Sequence, residues 1–519
     1  MKFITKVCLF TSFVLQVMRS EAYAQQSNIT SFISGQHAEI SKTYSIRVNG
    51  REVFVEKFKD ISFAWFSIEK QCKLEINLSG NVGNVTVSPL SAKIHYEQKG
   101  NELSLTLNEP HNLVIQREGS GERLFLFAEA VEKKVPVPNG KTVISVAQFG
   151  VEGAGNKLET NQLQKALDAV SNSGKILYFP SGIYRTGTLR IRSNTKIYLS
   201  AGTIIKGSDN RADYPVDEGS HESDIVNDKA TYSDNGERMT YSRLILIDKA
   251  ENVSITGRGI IDGSGSILRP QGKPANLIRI RQSRNALIEG IMLRDPASWN
   301  THILYSENVV IRNVKILNDR DVPNTDGIDP DASKHVLIDH CFAYCSDDNI
   351  AIKSSNNGGL LGDVDDITVK DCIFLTKKSS LKIGTETKAS IMKNILFENN
   401  DVIESDRGMA LYCSDGAVLD SIRFVNNRFE RNFPDSQKKG IHFVIKNRSG
   451  AGEIRNVLVK DCTFLESFPK PSELTGLDKD HTITNVLFDH LIIAGKICTT
   501  LEEAGIKTNE FTNRIELKN

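Results

Sequence analysis

From residue 253 to residue 488 one short hydrophobic segment keeps returning. Val253-Ser-Ile, Ala286-Leu-Ile, Val309-Val-Ile, Val336-Leu-Ile, Ile367-Thr-Val, Ile395-Leu-Phe, Ile422-Arg-Phe, Val457-Leu-Val and Val486-Leu-Phe follow one another at offsets of 33, 23, 27, 31, 28, 27, 35 and 29 residues. Polar turn residues tend to come after them, among them Asn313, Asp339-His340-Cys341, Asp371-Cys372, Asn399-Asn400, Asn426-Asn427 and Asp461-Cys462. A strand-rich unit of this length cannot bury its apolar side alone and has to stack on its neighbours. A leucine-rich repeat has a shorter period and a leucine signature missing here, and a propeller blade has a longer one. The pattern predicts an all-β chain whose main domain is a right-handed parallel β-helix.

Cys341, Cys372 and Cys462 fall at one position of the repeat, which predicts an inward stack of small apolar side chains. Beyond residue 24 the cysteines are odd in number and show no regular pairing, so no disulfide framework is expected. Cys341 and Cys345 have no second Cys or His pair at zinc-finger spacing. Neither a metal nor another cofactor is expected.

The organisation upstream is different. Residues 1–24 read as a signal peptide: Lys2 and Lys6 precede the apolar run 7–18, and Ala22-Tyr23-Ala24 offers a small-residue cleavage site. The expected product is exported, to the periplasm or the medium. Residues 25–135 alternate apolar and polar in short runs such as Tyr44-Ser-Ile-Arg-Val48 and Leu74-Glu-Ile-Asn-Leu78, which predicts a small antiparallel β-sandwich. A linker around Pro136 and Pro138 leads to the β-helix, residues 140–519. One helix is expected at 159–170, capped by Thr160 or Asn161, closing the open end of the coil. The polar insertion 208–242 has no periodicity and is expected to wall a groove.

Basic and acidic residues balance at 64 each, and without the signal peptide at 61 and 63. That evenness gives no electrostatic case for nucleic acid or a membrane surface. No later stretch is long and apolar enough to insert in a membrane. Nothing bears on oligomeric state.

Two acidic motifs carry the chemistry. Asn324-Thr-Asp-Gly-Ile-Asp329 and Ser346-Asp-Asp-Asn349 put Asp326 and Asp347 21 positions apart, close to one coil. Residues one coil apart stack at the strand spacing of about 4.8 Å. Asp326, Asp347 and Asp348 therefore converge, and carboxylates held together share protons, as an acid and a base must. A separation of about 6.5–9.5 Å between acid and base admits a water and predicts inversion at the anomeric carbon.

Trp299-Asn-Thr-His302, Pro323-Asn-Thr-Asp-Gly-Ile-Asp-Pro330 and Ser346-Asp-Asp-Asn-Ile-Ala-Ile-Lys353 together resemble the family 28 glycoside hydrolases, the polygalacturonase group. The likeness extends back through Phe179-Pro-Ser-Gly-Ile-Tyr184 and Gly257-Arg-Gly-Ile-Ile-Asp-Gly263. A sandwich ahead of a β-helix also resembles the family 49 dextranases and isopullulanases. The resemblance implies that Asp347 is the general acid, that Asp326 and Asp348 hold and deprotonate the attacking water, and that the substrate is a polysaccharide or oligosaccharide. It also places His302 at the substrate, where Trp299 suits a binding cleft, and Asn324 is a further candidate for substrate binding.

The family's next two segments are altered. Ser379 stands where a Gly-His-Gly histidine is expected, and Ala410 and Tyr412 replace the Arg and Lys of an Arg-Ile-Lys segment that reads the galacturonate carboxylate. Lys382, Glu386, Arg407 and Tyr412 are the candidate substitutes, with His442 and Lys446 one coil on, and Lys353, six residues beyond Asp347, is placed to reach the substrate groove or its rim. Lys353 also reads as a solvated strand-end lysine. The substrate is expected to be pectin-like or another glycan, with a dextranase-type α-glucan hydrolase as the alternative. Two more readings stay open. One is a lyase with calcium on Asp326, Asp329, Asp347 and Asp348, and the other a non-catalytic glycan-binding β-helix.

Overall fold

The structure, a computed structural model, describes residues 29–33, 38–80, 83–214, 243–271, 276–433 and 439–519. The signal-peptide reading and most of the expected groove wall, residues 215–242, lie outside them. The chain divides into two compact units, Met1–Val87 with Lys93–Lys133, and Ser88–Ala92 with Lys134–Asn519.

The first unit holds two five-stranded sheets. In one, Tyr44–Val48 pairs antiparallel with Cys72–Leu78, and that strand with Glu102–Leu107. Strict alternation of buried and exposed residues along Tyr44–Val48 shows one face inward and one outward. The other sheet is mixed: Arg123–Ala130 runs antiparallel to His111–Arg117 but parallel to Ile61–Ile68. Ile46, Leu74 and Ile76 of the first sheet share a core with Phe66, Leu124 and Leu126 of the second, which makes the pair a sandwich. The antiparallel sandwich expected from the sequence thus includes one parallel pairing, a crossover that alternation alone does not reveal.

The second unit is a parallel β-helix of three long sheets, with 13, 13 and 11 strands. The recurring segments lie in one of the 13-stranded sheets. Val253, Ala286, Val309, Val336, Ile367, Ile395, Ile422, Val457 and Val486 are successive partners across it, so the repeat read from sequence is the structural register. All nine are buried in one continuous core.

The turn residues explain themselves through backbone geometry. Asn313, His340, Asp371, Asn399, Asn426 and Asp461 take φ between 51° and 56°, the left-handed region that Asn and Asp tolerate best. The next residue points into the coil. Cys341 N donates to Cys372 Sγ (3.3 Å), Cys372 N to Asn400 Oδ1 (3.1 Å), and Asn400 N to Asn427 Oδ1 (3.1 Å). The expected apolar cysteine stack is thus a mixed Cys/Asn ladder that satisfies buried backbone donors. All seven described cysteines are free and buried.

The helix spans Thr160–Val170 and turns Leu163, Ala166, Leu167 and Val170 into the core. Its cap position is Glu159, not Thr160 or Asn161, and carries no side-chain cap bond. The Glu159 carboxylate instead accepts from Glu152 N (2.6 Å) and Gly153 N (3.2 Å), while Thr160 Oγ1 accepts from Gly187 N (2.8 Å).

Candidate active site

The acidic motifs meet on the outer face of the 11-stranded sheet. Along its strands Ile328, Ile350, Ile352, Leu381, Ile383, Met409 and Leu411 point into the core, so the residues between them point outward. Ile328 pairs with Ile350, an offset of 22, which sets Asp326 beside Asp348 with Asp347 one residue before it. Backbone bonds fix the match: Gly327 N donates to Asp348 O (2.9 Å) and Ile328 N to Asn349 O (3.0 Å). The other motif residues hold the loops. Thr325 and Ser346 hydroxyls lie 2.7 Å apart and both donate to Val322 O, at 3.1 and 2.6 Å. The Asn349 amide donates to Ala343 O and Leu375 O, both at 3.0 Å, and Asn324 takes φ 57°.

Two buried lysines lie among the carboxylates. Lys353 Nζ lies 3.2 Å from Asp326, 3.5 Å from Asp329 and 3.9 Å from Glu386, with the Trp299 ring centre 3.6 Å away. It is 4% exposed, which overturns the solvated-lysine reading. Lys382 Nζ lies 2.6 Å from Asp348 Oδ2, and Ser379 N donates to the other oxygen at 2.9 Å. Four carboxyls thus face two ammonium groups, and the carboxyls divide accordingly. Burial alone would raise the Asp348 carboxyl, yet Lys382 holds it below the ordinary carboxylate range. Burial, with Asp326 and Asp348 beside it, pushes Asp347 up to about 7. Burial raises Asp326 well above the ordinary range despite Lys353, and Asp329 rises to about 7 for the same reason.

His302 is not open to solvent. It is 1% exposed, its Nε2 lies 3.0 Å from Asp331 Oδ2, and its ring meets Trp299 edge-on at 5.1 Å. Burial pushes it down to about 4, against the opposing pull of Asp331, so it is neutral and donates through Nε2. Asp331 also accepts from Ser355 N (2.8 Å). Asn324 is half-buried, and its side-chain oxygen accepts from Arg269 (2.9 Å).

On the later coils, Arg407 donates to Ser379 Oγ (3.0 Å) and the Tyr412 hydroxyl (3.2 Å), with Asp406 3.3 Å away. That hydroxyl lies 2.7 Å from His442 Nδ1, and Lys446 Nζ is 5.7 Å from the Tyr412 ring centre. Glu386 lies 3.3 Å from Arg448. Asp329, Asp331 and Asp406 also lie buried at this cluster; motif matching gave Asp329 no part in hydrolysis and passed over the other two. The signal for the first two was present in the alternation Ile328-Asp329-Pro330-Asp331 within a strand.

Residues 215–442 match the family model described as glycosyl hydrolases family 28, and residues 143–277 match that for rhamnogalacturonase A/epimerase, pectate lyase-like. A probable polygalacturonase of Vitis vinifera is 31% identical over 224 residues, 40% of this chain and 44% of its own length. The chain spans about half the length of the curated relatives it matches. The crystal structure of a Thermotoga maritima exopolygalacturonase superposes with a TM-score of 0.57 at 22% identity, over 74% of this chain and 93% of that one. Dex49A from Penicillium minioluteum gives 0.61 at 12% identity, over 93% and 95%. At these identities the two structural likenesses concern the fold. Through its motifs and the segment 215–442, the chain resembles the family 28 glycosyl hydrolases.

Proposed function

We propose that this protein is an exported glycoside hydrolase that cleaves a pectin-like polysaccharide with inversion of configuration. The observation that carries the reading is the division of neighbouring carboxyls: Asp348 is ionised beside Lys382, while Asp347 retains its proton up to about pH 7. That is the state an acid and a base need before the reaction starts. Asp347 gives its proton to the glycosidic oxygen as the bond to the anomeric carbon breaks. A water held by Asp348 and Asp326 attacks that carbon from the opposite face, and Asp348 takes the proton it loses. The free enzyme is restored when Asp347 regains a proton from solvent and Asp348 releases one. The acid Asp347 and the base Asp348 are consecutive on one coil, and Asp326, which shares the water with Asp348, stacks beside Asp348 on the coil before.

The match to family 28 and the polygalacturonase names of the relatives support a pectin-like substrate. Calcium-dependent elimination fits poorly, because Lys353 and Lys382 occupy the space among the carboxylates that a cation would take. Export rests on the sequence of residues 1–24, and no helix among the described residues is long and apolar enough to cross a membrane.

The test is the purified protein on a pectic polysaccharide panel, with EDTA, followed by new reducing ends and by NMR of fresh product. Hydrolysis with the inverted anomer is expected. A retained anomer would refute the single displacement, and an unsaturated product absorbing in the ultraviolet would refute hydrolysis. An N-terminus other than Gln25 on the exported protein would refute the cleavage site.

A further inference from the structure

The two carboxyls assigned to the water are each met by a lysine from the next strand, and the acid is not. Asp326 precedes the strand Ile328–Asp331, and Lys353 on the following strand, Ile350–Ser354, comes within 3.2 Å of it. Asp348 precedes Ile350–Ser354, and Lys382 on the strand after, Ser379–Thr387, comes within 2.6 Å. Among the described residues no basic side chain forms an ion pair with Asp347, whose Oδ1 accepts the Asp348 N–H at 3.0 Å. Burying an ammonium group is costly, and the hydrophobic core lies on the other face of this sheet. The lysines are therefore spent on the outer-face carboxyls and not on the packing of the coil.

Lys353 has more than one carboxyl to choose from. Its Nζ is also 3.5 Å from Asp329 and 3.9 Å from Glu386, which in turn lies 3.3 Å from Arg448. Attraction alone would let the ammonium settle on any of the three, and Trp299 decides where it sits. The Nζ lies over the Trp299 ring, 3.6 Å from its centre, where cation–π attraction is strongest. The ring is fixed in turn by its edge-on contact with His302 at 5.1 Å. His302 Nε2 donates to Asp331, which also accepts the Ser355 N–H at 2.8 Å. A line of contacts thus runs from Asp331 through His302, Trp299 and Lys353 to Asp326. Burial raises Asp326 and Asp329, and Lys353 is the main force against that rise, with Asp348 adding to it and Lys382 also opposing it at Asp326.

We propose that Lys353 is a positioning residue: clamped by Trp299, it fixes the Asp326 carboxyl where the attacking water is held, and Trp299 serves hydrolysis through this clamp. The role rests on the hydrolase reading above. The test is the pH profile of initial rates for Lys353→Met, Trp299→Leu and the double variant, on a pectic polymer that the wild type cleaves. Lys353→Met should lower kcat at least about tenfold while KM stays within about twofold. Its acidic limb of kcat/KM should move up by about one unit or more, because Asp326 takes a proton more readily without the ammonium. Lys353→Arg should recover part of the loss. Trp299→Leu should move the limb in the same direction, and the double variant should be little worse than Lys353→Met, because both changes break one line of contacts. A uniform rate loss with an unmoved limb would mean that Lys353 only supports the fold. A Trp299→Leu variant that raises KM alone, or losses that multiply in the double variant, would mean that Trp299 meets the sugar and not the clamp; either result overturns the proposal. If Lys353→Met does not fold by circular dichroism, Trp299→Leu, which keeps the ammonium, decides by the same limb. A wild type that cleaves no polymer overturns the hydrolase reading and this role with it, whereas an active wild type with unmoved limbs in the variants overturns this role alone.

Discussion

Two buried polar stacks run along this β-helix, and they behave in opposite ways. The turn ladder Cys341–Cys372–Asn400–Asn427 is neutral, and each member spends its polar atoms on a neighbouring rung or a backbone carbonyl. The outer-face cluster Asp326–Asp329–Asp347–Asp348 is ionisable throughout, with Lys353 3.2 Å from Asp326 and 3.5 Å from Asp329, Lys382 2.6 Å from Asp348, and, among the described residues, no hydrogen-bond partner for His302 Nδ1. Polar groups closed on one another stabilise a fold and do no chemistry. Polar groups buried out of balance cost stability and have shifted proton affinities. The proposed acid–base roles belong to the second stack for that reason.

Removing the acid breaks the comparison most. Asp347→Asn should lower turnover by about 10²–10⁴-fold, the usual worth of a general acid, with glycan binding retained. The same variant tests the stability side. The folded Asp347 carboxyl holds its proton to about pH 7, whereas in the unfolded chain it releases it near pH 3.8. Folded wild type therefore binds more protons between these values and loses stability as pH rises through that window. The loss should be on the order of 2–4 kcal/mol and be reduced in the variant. Denaturant melts at pH 4 and pH 8 check it, and a pH-independent difference between the two proteins would contradict the raised proton affinity.

Asn400→Ala is the counterpart in the ladder. It removes the acceptor of Cys372 N and the donor to Val369 O, leaving two buried backbone groups unpaired. A stability loss of about 3 kcal/mol is expected in denaturant melts, with kcat/KM unchanged. If activity falls as far as stability, the two stacks are not independent.

Much of this division was legible in the sequence. The repeat of Val253 through Val486 fixed the register residue for residue, because an inward β position tolerates only apolar side chains. Asp326, Asp347 and Asp348 were identifiable because their motif also encodes the loop bonds of Thr325, Ser346 and Asn349. Partnerships were not legible. Lys353, Lys382 and Arg407 read as free cations for a substrate, and only three-dimensional stacking shows them committed to Asp326, Asp348, Ser379 and Tyr412. His302 read as facing substrate, although depth below the surface depends on neighbouring coils that a linear motif does not report. The ladder read as apolar because cysteine's weak acceptor role shows only beside a donor one coil away.

Lys382→Met sharpens the contrast by unbalancing the cluster further. Without its ammonium, Asp348 loses what holds its carboxyl down and the base becomes harder to ionise. The acidic limb of kcat/KM should move up by about one unit or more, roughly tenfold in rate at a pH on that limb. Lys382→Arg should restore most of it. A uniform rate loss with an unmoved limb would mean that Lys382 supports the fold and not the base.

The smallest effect separates volume from polarity within the ladder. Cys372 Sγ receives the Cys341 N–H at 3.3 Å and lies 3.1 Å from Lys370 O, so the thiol fills space and bridges two coils. Cys372→Ala removes both functions and should cost about 1–2 kcal/mol. Cys372→Ser keeps a small polar atom that both donates and accepts, and should recover about half of that loss if the bridge matters. Should Ser prove no better than Ala, the sulfur acts through packing alone and the inward-stack reading is right at this rung. In either case turnover should stay at the wild-type value, because no carboxyl of the outer face is bonded to Cys372.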